Sequence, residues 1–215
     1  MLMLALELST RRGSVALANA GPPFRLLDEV EWDAPQARSE YVFAALQQLL
    51  DRRGLKPSDL DVFALGRGPG GFSGIRMAVT AAQALALPAG RRVVAVSSGA
   101  ALVHGLREAH PHRTIAIVGD ARRDTWWWGV FPAAGSMGQD WQASTPAHVL
   151  AGLPAEALVV SPDWERLAAR VGDDPRWRRE ACYPRARQVA ELAAERLQRG
   201  ATGEPLEPIY LHPAV

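Results

Sequence analysis

Five glycines stand within Gly66-Arg-Gly-Pro-Gly-Gly-Phe-Ser-Gly-Ile-Arg76. That density lets backbone N–H groups come close to another surface, either a phosphate or a second backbone. Gly68, Gly70 and Gly71 are the candidates for holding a phosphate. Ser73 is placed to cap a following helix or to donate a hydrogen bond. The run is not a P-loop, because no lysine follows its last glycine, and it does not match the spaced dinucleotide fingerprint. Two carboxylates, Glu7 and Asp120, each end an apolar run that reads as a strand. They are the candidates for completing a phosphate or metal site. The competing reading is a pair of strand-end carboxylates bonded to turn N–H groups.

Other chemistry finds little support. The histidines are His104, His110, His112, His148 and His212, and no two have the i, i+4 spacing that puts two imidazoles on one helix face. No serine lies in a Gly-x-Ser-x-Gly elbow. Cys182 is the single cysteine, so it has neither a disulfide partner nor a cysteine companion for zinc. Trp126-Trp-Trp128 on a strand would place Trp126 and Trp128 on one face and Trp127 on the other, as packing aromatics.

The chain has 215 residues, 48% hydrophobic and 22% charged, with a net charge of +1. That is ordinary globular composition, and it points to neither a nucleic-acid binder nor an acidic tail. The basic clusters at Arg176–Arg179 and Arg185–Arg187 read as solvated faces or helix ends. The apolar start lacks a basic n-region and is interrupted by Glu7, so it reads as a strand, not a signal. No run reaches spanning length without a charge, so a cytoplasmic protein with no membrane contact is expected.

Around the glycine run the periodicity predicts a clear order. Strands are expected over 2–9, 14–19 and 24–32, then a helix over 39–53 ended by Gly54. A strand over 60–65 leads into the glycine turn. A helix over 75–87 is stopped by Pro88 and Gly90, then a strand runs over 92–96 and a helix to about 108. This β-β-β-α-β-α-β-α order predicts a mixed five-strand sheet flanked by helices, an α/β architecture of the actin-like, ribonuclease-H-like kind. Residues 1–102 form the first lobe on this reading. A smaller, less regular second lobe occupies 103–215, with a hairpin at 114–131, loops over 133–156, a strand at 157–161 and helices at 164–171 and 188–199.

The two first-lobe helices carry more apolar residues than one sheet needs. Residues 39–53 present Tyr41, Val42, Ala45, Leu46, Leu49 and Leu50 as a broad stripe. Residues 77–87 are apolar nearly all round, with Thr80 and Gln83 as the exceptions. Such helices are buried either within the chain or by a partner.

Several segments together resemble the TsaB/YeaZ family, partner proteins of the tRNA threonylcarbamoyladenosine transferase TsaD. The glycine run resembles that family's most specific signature, and Asp120-Ala-Arg122 before Trp126 resembles its hairpin motif. Leu4–Thr10 with Gly13–Leu17, Arg38-Ser-Glu40 and Glu207-Pro-Ile-Tyr-Leu211 resemble weaker family segments. Two departures stand out: Glu7 where the family carries aspartate, and Arg38 where it carries histidine.

The resemblance implies a two-lobed actin-like fold with a degenerate nucleotide cleft, no catalysis by this subunit, and no cofactor. It implies a TsaD-like partner held through a bundle of first-lobe helices, a homodimer through the same surface when that partner is absent, a TsaE-like ATPase in the same complex, and indirect contact with tRNA. The interface residues would be Tyr41, Val42, Ala45, Leu46, Leu49, Phe72, Ile75, Arg76, Val79, Ala82, Gln83 and Ala86. A glutamate at Ala82 or Leu46 should then abolish partner binding without unfolding the chain. The alternatives are a metallopeptidase of the glycoprotease type, which requires a metal, and an actin-like phosphotransferase, which requires ATP.

Overall fold

The computed structural model describes residues 1–33, 39–133, 140–201 and 205–211. Arg38, His212 and the glycines at 135 and 138 lie outside the described residues. The chain divides into two compact units. The first is Met1–Ala101 with Pro184–Ile209, and the second is Leu102–Tyr183 with Tyr210–Val215.

The first unit opens with β1 (Leu2–Glu7), β2 (Arg12–Asn19) and β3 (Arg25–Asp33), followed by α1 (Ser39–Asp51). Then come β4 (Val62–Gly66), α2 (Phe72–Ala86) and β5 (Arg92–Val96), and α3 (Ser98–Arg107) begins in this unit and ends in the second. The sheet order is β3-β2-β1-β4-β5. β1 pairs antiparallel with β2, which pairs antiparallel with β3; β1 pairs parallel with β4, which pairs parallel with β5. This is the mixed five-strand sheet that the element order predicts.

Side-chain alternation along the strands divides large residues from small ones. Leu4, Leu6, Val15, Leu17, Phe63 and Leu65 point to the face covered by α1 and α2. Ala5, Ala16, Ala18 and Ala64 point to the other face. There they meet Ala186, Ala190, Ala193 and Ala194 of α6 (Ala186–Gln198). Alanine against alanine removes the side-chain spacer, so α6 packs close on the sheet.

The second unit contains β6 (Ile115–Asp120), β7 (Trp126–Phe131), β8 (Gln142–Ser144), α4 (Pro146–Gly152), β9 (Leu158–Ser161), α5 (Trp164–Val171) and β10 (Trp177–Ala181). Its sheet order is β10-β9-β6-β7-β8. β6 pairs antiparallel with β7 and parallel with β9, and the outer pairs follow the same senses. Strand for strand this repeats the first sheet. Two mixed five-strand sheets with flanking helices make this an α/β fold of the actin-like, ribonuclease-H-like class.

Two expectations need correction. The second lobe is as regular as the first: the expected loop at 133–156 contains β8 and α4, and β10 was not foreseen. Thr145 caps α4 by accepting the His148 N–H, and Pro146 sits at its first position, where no N–H is needed. The division at 102/103 also fails at its far end. α6 lies on the first sheet because its alanine face fits there, and hairpin side chains hold its start. Ser14 Oγ accepts the Ala186 N–H at 2.8 Å, and Glu29 Oε1 accepts the Arg187 N–H at 3.2 Å.

The tryptophans divide as strand alternation requires. Trp126 packs edge-on to Trp177, and Trp128 packs against the same cluster. Trp127 packs instead against Trp141, 5.6 Å between ring centroids.

Candidate functional site

The glycine turn joins β4 to α2 and is occupied by the chain itself. Gly68 and Gly70 have φ of +94° and +152°, conformations that disfavour other residues. The Gly68 N–H donates to Ser98 Oγ at 2.9 Å, and the Ser98 N–H donates back to the Gly68 carbonyl at 2.8 Å. The Gly71 N–H donates to the Ser9 carbonyl at 2.6 Å. A β-carbon on Gly70 would overlap that same carbonyl, and one on Gly74 would overlap the carbonyl of Leu8. The close approach that glycine allows is therefore to Leu8 and Ser9, just past the end of β1. Of the two surfaces the sequence left open for this turn, a backbone lies against it.

Glu7 ends β1 beneath this turn and is fully buried. Its Oε1 accepts the Ser9 N–H at 2.7 Å. Its Oε2 has no hydrogen-bond partner among the described residues and fills the space beside Gly66. Burial pushes this carboxyl above the usual range, and the bond from the Ser9 N–H draws it part of the way back. Arg67, within the turn, donates to the Glu207 carbonyl at 2.8 Å, while the Ile209 N–H donates to the Arg67 carbonyl at 2.9 Å. These bonds fasten the closing segment to the turn, a role that the sequence reading missed.

Asp120 belongs to the second unit, where it is committed to local bonds. Its own N–H donates to Asp163 Oδ2 at 3.0 Å, and its Oδ1 accepts the Arg122 N–H at 2.8 Å. Arg166 and Arg122 lie 3.4 and 3.6 Å from its Oδ2. Burial raises Asp163, with the Asp120 N–H and Arg166 opposing that shift. The following residues, Arg122, Arg123 and Asp124, all have positive φ, at 67°, 50° and 59°. Each costs about 1–2 kcal/mol in the left-handed region. Among the described residues, no three His, Cys, Asp or Glu side chains gather as metal ligands. No helix among them is long and apolar enough to cross a membrane.

The expected interface divides in two. Val42, Ala45, Leu46, Leu49, Ile75, Ala82 and Ala86 are buried in the chain's own core, so they are not available to a partner. The sheet needs both apolar stripes: α1 closes over β2 and β3, and α2 over β1, β4 and β5. Val79 is half-buried, while Tyr41, Phe72, Arg76 and Gln83 are exposed. The sequence missed Phe43, 55% exposed, and Leu87, 80% exposed. Leu87 was legible in principle, since it falls fifteen positions after Phe72 on the same helical stripe. Six large hydrophobic residues are exposed among the described residues, and four of them, Tyr41, Phe43, Phe72 and Leu87, lie on α1 or on α2 and the turn that ends it.

A family model described as TsaD, tRNA N6-adenosine threonylcarbamoyltransferase, matches residues 33–154, more than half of the chain. The tRNA threonylcarbamoyladenosine biosynthesis protein TsaB of Escherichia coli is 27% identical across 98% of this chain and 94% of its own length. TsaB of Haemophilus influenzae is 32% identical over 56% of this chain and 49% of its own length. Among solved structures, YeaZ from Pseudomonas aeruginosa superposes with a TM-score of 0.78 at 28% identity, covering 97% of this chain and 100% of its own. A second structure, from the same organism and described by its similarity to peptidase YeaZ, gives 0.80 at 29% identity, covering 98% and 99%. The family-model match, the near-full-length match to TsaB and the superpositions on YeaZ agree: the chain belongs to the TsaB/YeaZ family.

Proposed function

We propose that this chain is a non-catalytic subunit of the machinery that makes threonylcarbamoyladenosine in tRNA, and that it docks onto a TsaD-like transferase subunit through the outer surfaces of α1 and α2. The observation that carries this reading is the concentration of exposed large hydrophobics on those two helices, whose inner faces the first sheet already seals. Isolated exposed hydrophobics are ordinary, but a group of them marks an interaction surface. The near-full-length match to TsaB supports the pathway, and the self-occupied glycine turn supports a structural role for that motif. In the absence of the transferase subunit the same surface serves a homodimer. A TsaE-like ATPase joins the assembled complex, and tRNA is contacted through the transferase subunit.

Co-purification tests this. Leu87→Glu and Phe72→Ala, each with unchanged far-UV circular dichroism and melting temperature, should lose the transferase subunit of the same organism. Normal recovery of that subunit by both folded variants would overturn the docking surface.

A further inference from the structure

Phe72, Arg76, Thr80, Gln83 and Leu87 are all exposed and recur at i, i+4, i+8, i+11 and i+15, so they form the outward stripe of α2 and the turn that ends it. Arg76 is the single charge on that stripe. Its guanidinium carbon lies 5.1 Å from the centroid of the Phe72 ring, one turn back. Among the described residues, Arg76 has no ion pair. We infer that Arg76 is the charge-selective anchor of this surface, and that its partner is an otherwise apolar helix face presenting one carboxylate to it. The inference rests on the docking surface proposed above.

Docking desolvates Arg76, and a buried charge needs a partner. A partner that covers Phe72 and Leu87 must also strip water from the guanidinium between them. That group stays protonated at any accessible pH, so it cannot escape the cost by neutralising. The Phe72 ring satisfies one flat side through its quadrupole and limits the rotamers Arg76 visits. It accepts none of the in-plane N–H donors, which need oxygen acceptors. Thr80 and Gln83 are uncharged, so the stripe supplies no carboxylate of its own. A planar carboxylate on the partner matches the fork of donors in two parallel bonds. A second copy of this chain is the poorer occupant: a two-fold axis at Arg76 sets guanidinium against guanidinium, and an axis elsewhere on the stripe sets Arg76 against a position of the same stripe, which has no carboxylate. The anchor thus favours a mixed pair over a self-pair.

Calorimetry with the full-length chain and the purified transferase subunit of the same organism tests this at low and high salt. Arg76→Glu should weaken binding by about a hundredfold, and Arg76→Gln by about tenfold. Arg76→Lys, which keeps the charge but not the fork, should fall between Arg76→Gln and the unaltered chain. The salt dependence should shrink in Arg76→Gln, and exchanging the partner's carboxylate for lysine should restore Arg76→Glu. If Arg76→Glu binds like the unaltered chain while Leu87→Glu does not bind, the anchor is wrong and the docking surface stands. If Leu87→Glu and Phe72→Ala also bind normally, the docking surface falls and the anchor falls with it.

Discussion

Oε2 of Glu7 lies where Gly66 has no side chain, and the two residues are fitted to one another. A β-carbon on Gly66 would overlap that oxygen and come within 2.6 Å of the Ser98 hydroxyl. Gly66→Ala should therefore destabilise the fold by about 1–3 kcal/mol through overpacking. Adding Glu7→Ala empties the space and should recover part of the loss, so the two effects are not additive. Urea denaturation of both single variants and the double variant measures the coupling, and strict additivity would show that the two residues do not share this space.

The same carboxyl makes stability depend on pH. Burial raises the Glu7 pKa above the 4.5 of an unfolded chain. The folded state then binds the proton more tightly than the unfolded state. Stability from the neutral carboxyl is fully present below the unfolded value and is lost as pH rises through the folded one. Glu7→Gln cannot ionise, so it should be more stable than the unaltered chain at neutral pH, and the difference should close towards about pH 4. Denaturation midpoints across that range check the sign; a difference that grows towards acid would contradict it.

Gly74 lies in the first turn of α2, where alanine would normally gain about 0.5–1 kcal/mol of helix stability. Here the sign should reverse. The β-carbon would overlap the carbonyl of Leu8, which is main chain and cannot rotate away. Gly74→Ala should lower the melting temperature and loosen the turn, seen as faster amide exchange at Gly71. A stabilised variant would show that the strand end yields easily.

Substitutions on the two sides of α2 should separate folding from binding. Ala82 is fully buried, and Ala82→Glu places an unpaired charge in the core at a cost above about 3 kcal/mol. It should give insoluble or molten protein, as should Leu46→Glu. Leu87→Glu on the open side should leave the melt unchanged. Circular dichroism and melting curves compared across the three variants decide this, and a soluble, normally melting Ala82→Glu would refute the core assignment.

The first unit was largely legible because its strands and helices have long, unmixed patterns. Leu2–Leu6 is apolar throughout because β1 is covered on both faces, and α1 and α2 show the helical period. β10, Trp-Arg-Arg-Glu-Ala, has no apolar alternation because it is a sheet edge with one paired side. β8 is three residues long, below what a periodicity can display. The repeated topology of the two sheets was hidden for the same reason. At the site, the error concerned which side of each helix the apolar residues served. Periodicity identifies a stripe but not its cover, and the sheet claimed the alanines and leucines assigned to a partner. What sat against the glycines was equally invisible, since Leu8 and Ser9 are sixty residues away in sequence.

The helix that seals the alanine side of the first sheet is made only after Leu102–Tyr183 of the second unit. While the ribosome is still adding residues before 186, that side of the sheet has no cover from Ala186–Gln198. The second unit is thus an insertion between the first unit and its own lid, and synthesis order works against early completion of the amino-terminal unit. A chain cut after residue 183 should leave the ribosome with an open apolar flank, and should aggregate or recruit chaperones even though every residue of the first sheet is present.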